Sequence, residues 1–382
     1  MPMGSLLSKY THLVLGTGCT VPVLHPALPP SEWCIPALDV VHWYTNHPSQ
    51  PKAPPIDDAR HVTIIGQGNV SLDIARMLLS RPEHLRQYDI PERVLAHLAK
   101  STVKHISIIG RRGPYEVAFT AKELRELLDL PGVVMESLPP EILQPKESIK
   151  PTRQQSRIVS LLQKGSKETP KGPGEDFKLW SLEFFRSPTG AVPTPRSASS
   201  RLVLSLAHTT LDANNKAVPT GATSTLPTDL IITSLGHRSE PTTHWYDPGL
   251  GHVRNVSGRV GDERGELLKN VYTSGWASTG AKGVLATTML DAYSVAQTLL
   301  SDAQYPVPEA KSVMSEDVKE ADLDDLPEEL EHGLESLRVI THDNWKLVDE
   351  EEVRRGAALG GKERERMDWD EVYRYLQSTR VA

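Results

Sequence analysis

The sequence is short of several things, and each shortage narrows the field. Only two cysteines, Cys19 and Cys34, occur in 382 residues. Two such residues cannot build a disulfide scaffold and do not have zinc-ligand spacing, so both are expected as buried or semi-buried thiols. No apolar run reaches the roughly 18–20 residues of a membrane span, which leaves at most a peripheral association with membranes. The segment Met1 to Tyr10 carries a single basic residue, Lys9, and lacks the apolar stretch of a signal peptide, so no targeting signal is legible there. Excess positive charge is also missing. A formal net charge of -7 argues against a general nucleic-acid binder, although local basic clusters can still hold phosphates or an acidic protein. No internal repeat is visible.

What remains is an ordinary globular composition, 38% hydrophobic and 24% charged, in a chain long enough for about two domains. Near the start, His12-Leu13-Val14-Leu15 reads as a strand and is followed by Gly16-Thr17-Gly18. This is not expected to be a phosphate-binding fingerprint, because such a turn must open a helix and Pro22, Pro26, Pro29 and Pro30 disfavour one. It reads instead as a late strand leaving a sheet. The next unit has its parts in the right order: strand His61 to Ile65, turn Gly66-Gln67-Gly68-Asn69-Val70-Ser71, and a helix carrying Leu72, Ala75, Met77, Leu78 and Leu79. A second strand, Ile106 to Ile109, ends at Gly110-Arg111-Arg112 and completes a βαβ unit. The long crossover, Pro82 to Lys104, suggests one extra helix.

Further on, Thr120-Ala121-Lys122-Glu123 has the form of a capping box, with Phe119 and Leu124 as a hydrophobic staple and Pro131 closing the helix. A polar, basic stretch from Pro139 to Lys171 includes Lys146, Arg153 and Arg157. The residues from Leu179 to Ala207 and from Asp229 to Gly236 return to strand patterns. Val271 to Trp276 is another strand, and Gly283-Val284-Leu285 starts an apolar helix running to Leu300. The acidic segment Glu316 to Glu335 is expected to be a linker or a solvated helix.

Several of these segments can carry chemistry. Glycines in Gly66-Gln67-Gly68-Asn69-Val70 let the backbone approach a pyrophosphate, and the helix that follows offers unpaired N–H groups and a positive dipole end. An NAD site usually has an acid at the end of the second strand, whereas arginine accommodates the 2′-phosphate of NADP. Arg111 and Arg112, with no acid between them, favour NADP; a solvated basic turn is the alternative. Glu123 is already explained by capping and is a weaker candidate for a nucleotide contact. Trp276 with Gly283, Val284 and Leu285 could suit a flavin, whose reduced ring has an anionic end, or could be a core tryptophan beside a helix cap. Arg153 and Arg157 share a helix face, open to an acidic partner or simply to solvent.

Together these motifs resemble the mitochondrial adrenodoxin (ferredoxin)–NADP reductase family. The resemblance rests on Gly66 to Asp73, on Gly110 to Pro114 with Ala118-Phe119-Thr120, and on Ser274-Gly275-Trp276 with Gly283 to Met289. It extends to Phe184-Phe185-Arg186-Ser187-Pro188, Ala217 to Gly221, Ser234 to Ser239 and the C-terminal Asn344-Trp345 with Asp349, Glu350, Glu351 and Val353. It implies an α/β fold of two Rossmann-like dinucleotide-binding domains, glutathione-reductase-like, with an NADP domain over residues 25–240 inserted in a truncated FAD domain made of 1–24 and 241–382. The implied activity is electron transfer from NADPH through FAD to a small acidic 2Fe-2S ferredoxin, and the implied place is the mitochondrion. By the same resemblance Gln67, Gly68, Asn69, Val70, Arg111, Arg112 and Glu123 contact NADP, Trp276 and Gly283 to Leu285 contact FAD, and Arg153 and Arg157 dock the ferredoxin.

One departure stands out. The family's FAD domain begins with its own strand, glycine turn and helix, and only nine residues precede Tyr10, fewer than the roughly 30 that a βαβ unit needs. The adenine end of FAD therefore has no visible site. Two alternatives stay open: a noncatalytic NADPH-binding protein, and a different pyridine-nucleotide dehydrogenase, although no catalytic His, Tyr or Lys constellation declares itself.

Overall fold

The computed structural model describes residues 3–145, 150–168, 177–195, 198–308, 310–313, 326, 328–336 and 339–381. Lys146, Lys171 and the acidic residues 316–325 fall outside this set. The chain forms two compact units, one of Met1–Val23 with Gly236–Trp345 and one of Leu24–Leu235 with Lys346–Ala382. The expected division at 24/25 and 240/241 placed the C-terminal segment with the FAD portion, whereas from Lys346 onward it packs into the other unit.

The larger unit is built on six strands in the order Cys34–Pro36, Leu230–Thr233, His61–Ile65, His105–Ile109, Lys178–Glu183 and Val133–Met135, each neighbouring pair parallel. The inner strands are runs of Ile, Val and Leu because a parallel sheet is covered on both faces; Leu230–Thr233 is buried along its whole length. Polar residues in these strands find partners nearby: Ser181 Oγ donates to Ser107 Oγ on the neighbouring strand at 3.1 Å, and Thr63 Oγ1 to Thr228 Oγ1, just before Leu230–Thr233, at 2.8 Å. The helix Asn69–Leu79 buries Leu72, Ala75 and Leu79 at helical spacing, which fixes its apolar face against the sheet. A three-stranded antiparallel sheet, Arg186–Pro193, Leu202–Leu211 and Ala217–Thr228, is inserted before Leu230–Thr233.

Two local expectations need correction. The crossover between the first two nucleotide-site strands holds two short helices, Pro82–Leu85 and Glu92–Leu98, because Pro91 ends one segment and opens the next. The helix Ala121–Leu128 does start after Thr120, but without a side-chain-to-backbone cap; the Thr120 hydroxyl bonds the Glu123 carboxylate instead.

The C-terminal helices His342–Ala358 and Trp369–Val381 are tied to the larger unit by ion pairs. Lys362, whose side chain is almost wholly buried, lies between Glu92 and Glu365, and Arg366 pairs with Asp89. Asn46 Nδ2 donates to the Met367 carbonyl at 2.7 Å.

The smaller unit has a four-stranded sheet in the order Leu13–Leu15, Leu267–Thr273, Arg259–Gly261 and Asn255–Val256. Leu13–Leu15 is an edge strand parallel to its neighbour and the remaining pairs are antiparallel. Its core is small, formed by Leu15, Val253, Val260, Leu268 and Val271. Asp302 accepts two hydrogen bonds from Arg259, at 2.6 and 2.7 Å, and one from Tyr272 at 3.1 Å. Burial, then this carboxylate, pushes the Tyr272 phenol up to about 12. Among the described residues no helix is long and apolar enough to cross a membrane.

Candidate functional site

The glycine turn in the larger unit is forced by close packing. Gly66 sits at φ 125°, and a Cβ there would lie 2.0 Å from the Ser234 carbonyl oxygen, so only glycine fits. Its N–H donates to the Ile109 carbonyl at 2.8 Å, and Ser234 donates to Ile65 at 2.7 Å, which stitches the turn to both neighbouring strands. The helix then begins at Asn69 with Gly68 as N-cap. Ser71 and Leu72 return their N–H groups to the Gly68 carbonyl, whereas those of Gln67, Gly68, Asn69 and Val70 have no acceptor among the described residues. Four consecutive donors at a helix N-terminus are what a pyrophosphate requires.

The side chains hold this row in place. Asn69 Oδ1 accepts the Thr120 N–H at 2.8 Å, and Ala118 N–H donates to the Gln67 carbonyl at 2.9 Å. The segment that carries Glu123 is thereby bound to the turn. Arg76 bridges Asp73, at 2.8 Å, and Glu126, linking helix Asn69–Leu79 to helix Ala121–Leu128. Burial raises the Asp73 carboxyl, opposed by Arg76 and reinforced by Glu123. Glu123 itself is taken up by the Thr120 hydroxyl.

Arg111 and Arg112 follow strand His105–Ile109 and are both exposed. Neither guanidinium donates a hydrogen bond or meets a carboxylate among the described residues. His25 is depressed by burial and then by the charge of Arg111, so the imidazole stays neutral near neutral pH and does not add to the cationic charge. Ser234 and Ala118 stand in motifs that carry the resemblance, but their roles were not legible, because both act through backbone groups that leave no residue-type signal.

Arg153 and Arg157 lie exposed on the helix Arg153–Lys164. Thr152 Oγ1 accepts the Gln155 N–H at 3.2 Å, and Gln155 Oε1 accepts the Thr152 N–H at 2.8 Å, a capping box that fixes the helix start. Ile158, Val159 and Leu162 form the buried face. No hydrogen bond or ion pair links either arginine to the glycine turn among the described residues.

In the smaller unit, Trp276 opens a short helix after Gly275, at φ 66°, and is 38% exposed. Asp291 Oδ2 accepts from Gly275 N–H at 2.7 Å and Ser274 Oγ at 3.0 Å, while Cys19 Sγ donates to the Trp276 carbonyl at 3.2 Å. Gly283 adopts φ 85°, and a Cβ there would meet Thr287 Oγ1 at 2.2 Å. That hydroxyl accepts the Val284 N–H at 2.9 Å and starts the helix Leu285–Gln304. The N–H groups of Gly283, Leu285 and Ala286 have no acceptor among the described residues. These groups fit the ring end of a flavin, which needs donors at a helix start beside an exposed aromatic. They do not supply a pyrophosphate cradle: after Gly16-Thr17-Gly18 the chain enters the extended segment Val21–Pro22 rather than a helix. Among the described residues no group of three or more His, Cys, Asp or Glu could hold a metal ion.

A parallel sheet, a glycine turn with four open donors and two unpaired arginines after the next strand define a dinucleotide-binding α/β protein. No family model matches the chain. It is 36% identical over 348 residues to the mitochondrial NADPH:adrenodoxin oxidoreductase of Homo sapiens, an alignment that covers 88% of this chain and 68% of the relative. It is 32% identical over 276 residues to the NADPH-ferredoxin reductase FprA of Mycobacterium tuberculosis, with 70% and 58% covered. The solved structure of that bacterium's FprA in complex with NADPH superposes with a TM-score of 0.78 at 26% identity, covering 97% of this chain and 80% of the other. The chain belongs to the NADPH:adrenodoxin oxidoreductase family. It spans about two thirds of the length of its mitochondrial relative.

Proposed function

We propose that this chain binds NADPH in its larger unit and holds the ring end of FAD in its smaller one, as part of an oxidoreductase that passes electrons from NADPH to a small ferredoxin. The observation that carries the reading is the row of open N–H groups from Gln67 to Val70, followed across the next strand by Arg111 and Arg112 with no acid between them. The row would hold the pyrophosphate through charge-assisted hydrogen bonds, and the two guanidiniums would take the 2′-phosphate, which arginine recognises in bidentate geometry. Residues 25–240 would thus be the NADP domain, with 1–24 and 241 onward, up to the C-terminal helices, the FAD portion.

FAD, when bound, supplies the conversion between a two-electron hydride donor and a one-electron acceptor. The residues of this chain contribute orientation: Gly283 gives close backbone approach, Val284 and Leu285 lie at the helix start, and Trp276 presents an exposed aromatic face. Arg153 and Arg157 would meet an acidic ferredoxin of the 2Fe-2S, adrenodoxin type, since surface charges steer encounter more than they add affinity. The mitochondrial names of the eukaryotic relatives support a mitochondrial location.

The test is a titration of the purified chain with NADPH and NADH. NADPH should bind at least about tenfold more tightly, and replacing Arg111 and Arg112 together by glutamine should remove the difference. Equal affinities in the unaltered chain would overturn the assignment. A second titration, with a 2Fe-2S ferredoxin at rising salt, should show binding that weakens with ionic strength and with Arg153→Glu/Arg157→Glu.

A further inference from the structure

The turn that carries the two arginines is held from behind by residues that touch no nucleotide donor, and this arrangement is not visible in any single motif. Three successive carbonyls of the turn are each occupied. Gly110 O accepts from Arg186 N–H at 3.0 Å and Arg112 O from Phe185 N–H at 3.2 Å. Between them, Arg111 O accepts from the Thr209 hydroxyl at 2.8 Å. The N–H of Gly110 donates to Glu183 O at 2.8 Å, and that of Gly113 donates to Glu116 Oε2 at 3.1 Å. Among the described residues the turn leaves free the two guanidiniums and the N–H groups of Arg111 and Arg112.

The clamp is itself built with some strain. Phe185 has φ 55°, a left-handed conformation that is costly for an aromatic residue. It is kept there by Thr209, whose N–H donates to Phe185 O at 2.9 Å, and by Arg186 Nη1, which donates to the same carbonyl at 3.1 Å. In this conformation the phenyl ring reaches Gly113: a Cβ on that glycine would lie 2.5 Å from Phe185 Cζ. Thr209 is buried and engages both sides at once, its N–H on Phe185 and its hydroxyl on Arg111.

Building on the NADP reading above, we infer that Thr209 and Phe185 are positioning residues that set the preference for NADPH over NADH by fixing the backbone under Arg111 and Arg112. Long arginine side chains lose considerable rotamer freedom when they bind. Anchoring their Cα atoms reduces what must be ordered when a phosphate arrives, which is preorganisation acting through affinity. The clamp bears on the 2′-phosphate only. NADH lacks that phosphate and uses the Gln67 to Val70 donors, to which neither Thr209 nor Phe185 is bonded.

The experiment compares NADPH and NADH dissociation constants for the unaltered chain, Thr209→Val, Thr209→Ser and Phe185→Gly. Thr209→Val keeps the branched shape and loses the hydroxyl; Thr209→Ser keeps the hydroxyl; Phe185→Gly relieves the left-handed strain and removes the ring. Thr209→Val should weaken NADPH roughly five- to tenfold, the scale of one lost hydrogen bond, and Phe185→Gly, which keeps the backbone bonds but frees φ and removes the ring against Gly113, should weaken it by a similar factor; NADH should be unchanged and Thr209→Ser should restore the preference. NADH binding serves as the control for folding. Parallel losses for both nucleotides, or a preference that survives both variants, would overturn the clamp while leaving the NADP assignment standing. An unaltered chain that does not prefer NADPH would overturn both.

Discussion

The two units solve the same packing problem to different degrees. In the larger one the strands His61–Ile65 and Leu230–Thr233 lie inside a six-stranded sheet, and the helix Asn69–Leu79 buries six of its side chains. In the smaller one the helix Leu285–Gln304 buries Val295 and leaves Leu285, Met289, Leu290, Tyr293 and Leu300 more than half exposed. Leu285 is 90% exposed. A row of large apolar groups at that exposure is far from the usual state of a soluble surface. The lesson is that one unit can hold its row of open N–H groups on a well-packed sheet while another unit of the same chain leaves most of a helix face exposed. The open donors from Gln67 to Val70 are held by side chains and strands of the larger unit, whereas those around Gly283 belong to a helix with one buried residue.

The largest expected difference is in stability. Leu72→Ala should cost about 2–5 kcal/mol by leaving a cavity in the larger unit, whereas Leu290→Ser should stay within about 0.5 kcal/mol because its side chain already meets water. Urea unfolding of the two variants compares them directly, and a comparable loss for Leu290→Ser would show that the helix face is covered in solution.

The two glycine turns give a smaller, cleaner comparison. Gly66→Ala forces a Cβ onto the Ser234 carbonyl at a left-handed φ and should destabilise by roughly 1–3 kcal/mol while abolishing NADPH binding. Gly16→Ala, with nothing within 4 Å of its Cβ position, should change the melting temperature little.

The smallest effect concerns pH. His61 stacks on His105 with ring centroids 4.6 Å apart, and its Nε2 lies 2.9 Å from Ser107 Oγ. Burial, then the neighbouring imidazole, lowers His61 from 6.5 to about 4, against the opposing charge of Asp229. A base with a lower value in the folded state binds fewer protons there than when unfolded. The folded form is therefore progressively disfavoured as pH falls from about 6.5 toward 4, and is unaffected above that range. Between pH 7 and 5 the loss should be on the order of 1 kcal/mol. His61→Gln should flatten that slope, and an unchanged slope would assign the acid sensitivity to other groups.

Much of the candidate nucleotide site could be read from residue types. Buried parallel strands are near-continuous runs such as Val62-Thr63-Ile64-Ile65, and the glycines and arginines that follow them stand in sequence where the chemistry needs them. The proline-rich segment after Gly18 correctly spoke against a second phosphate turn there. What could not be read depends on partners far along the chain. Gly66 is required by the Ser234 carbonyl, and the C-terminal helices join the larger unit through Lys362, Arg366 and the Met367 carbonyl, whose partners lie near residues 46–92. At Thr120 the local pattern predicted a capping box, and the hydroxyl bonds the Glu123 carboxylate instead of the backbone.

The parallel pairing of Leu13–Leu15 with Val271–Thr273 also sets an order of events on the ribosome. The Thr273 hydroxyl bonds the Leu15 carbonyl across 258 residues, so at about 5–20 residues per second the first strand waits roughly ten to fifty seconds for its neighbour to be synthesised. All six strands of the other sheet, the last ending at Thr233, emerge before that moment. The four-stranded sheet is therefore begun before the six-stranded one and closed after it, and its strand Leu13–Leu15 travels through synthesis with its hydrogen-bonding groups open to whatever chain or chaperone it meets.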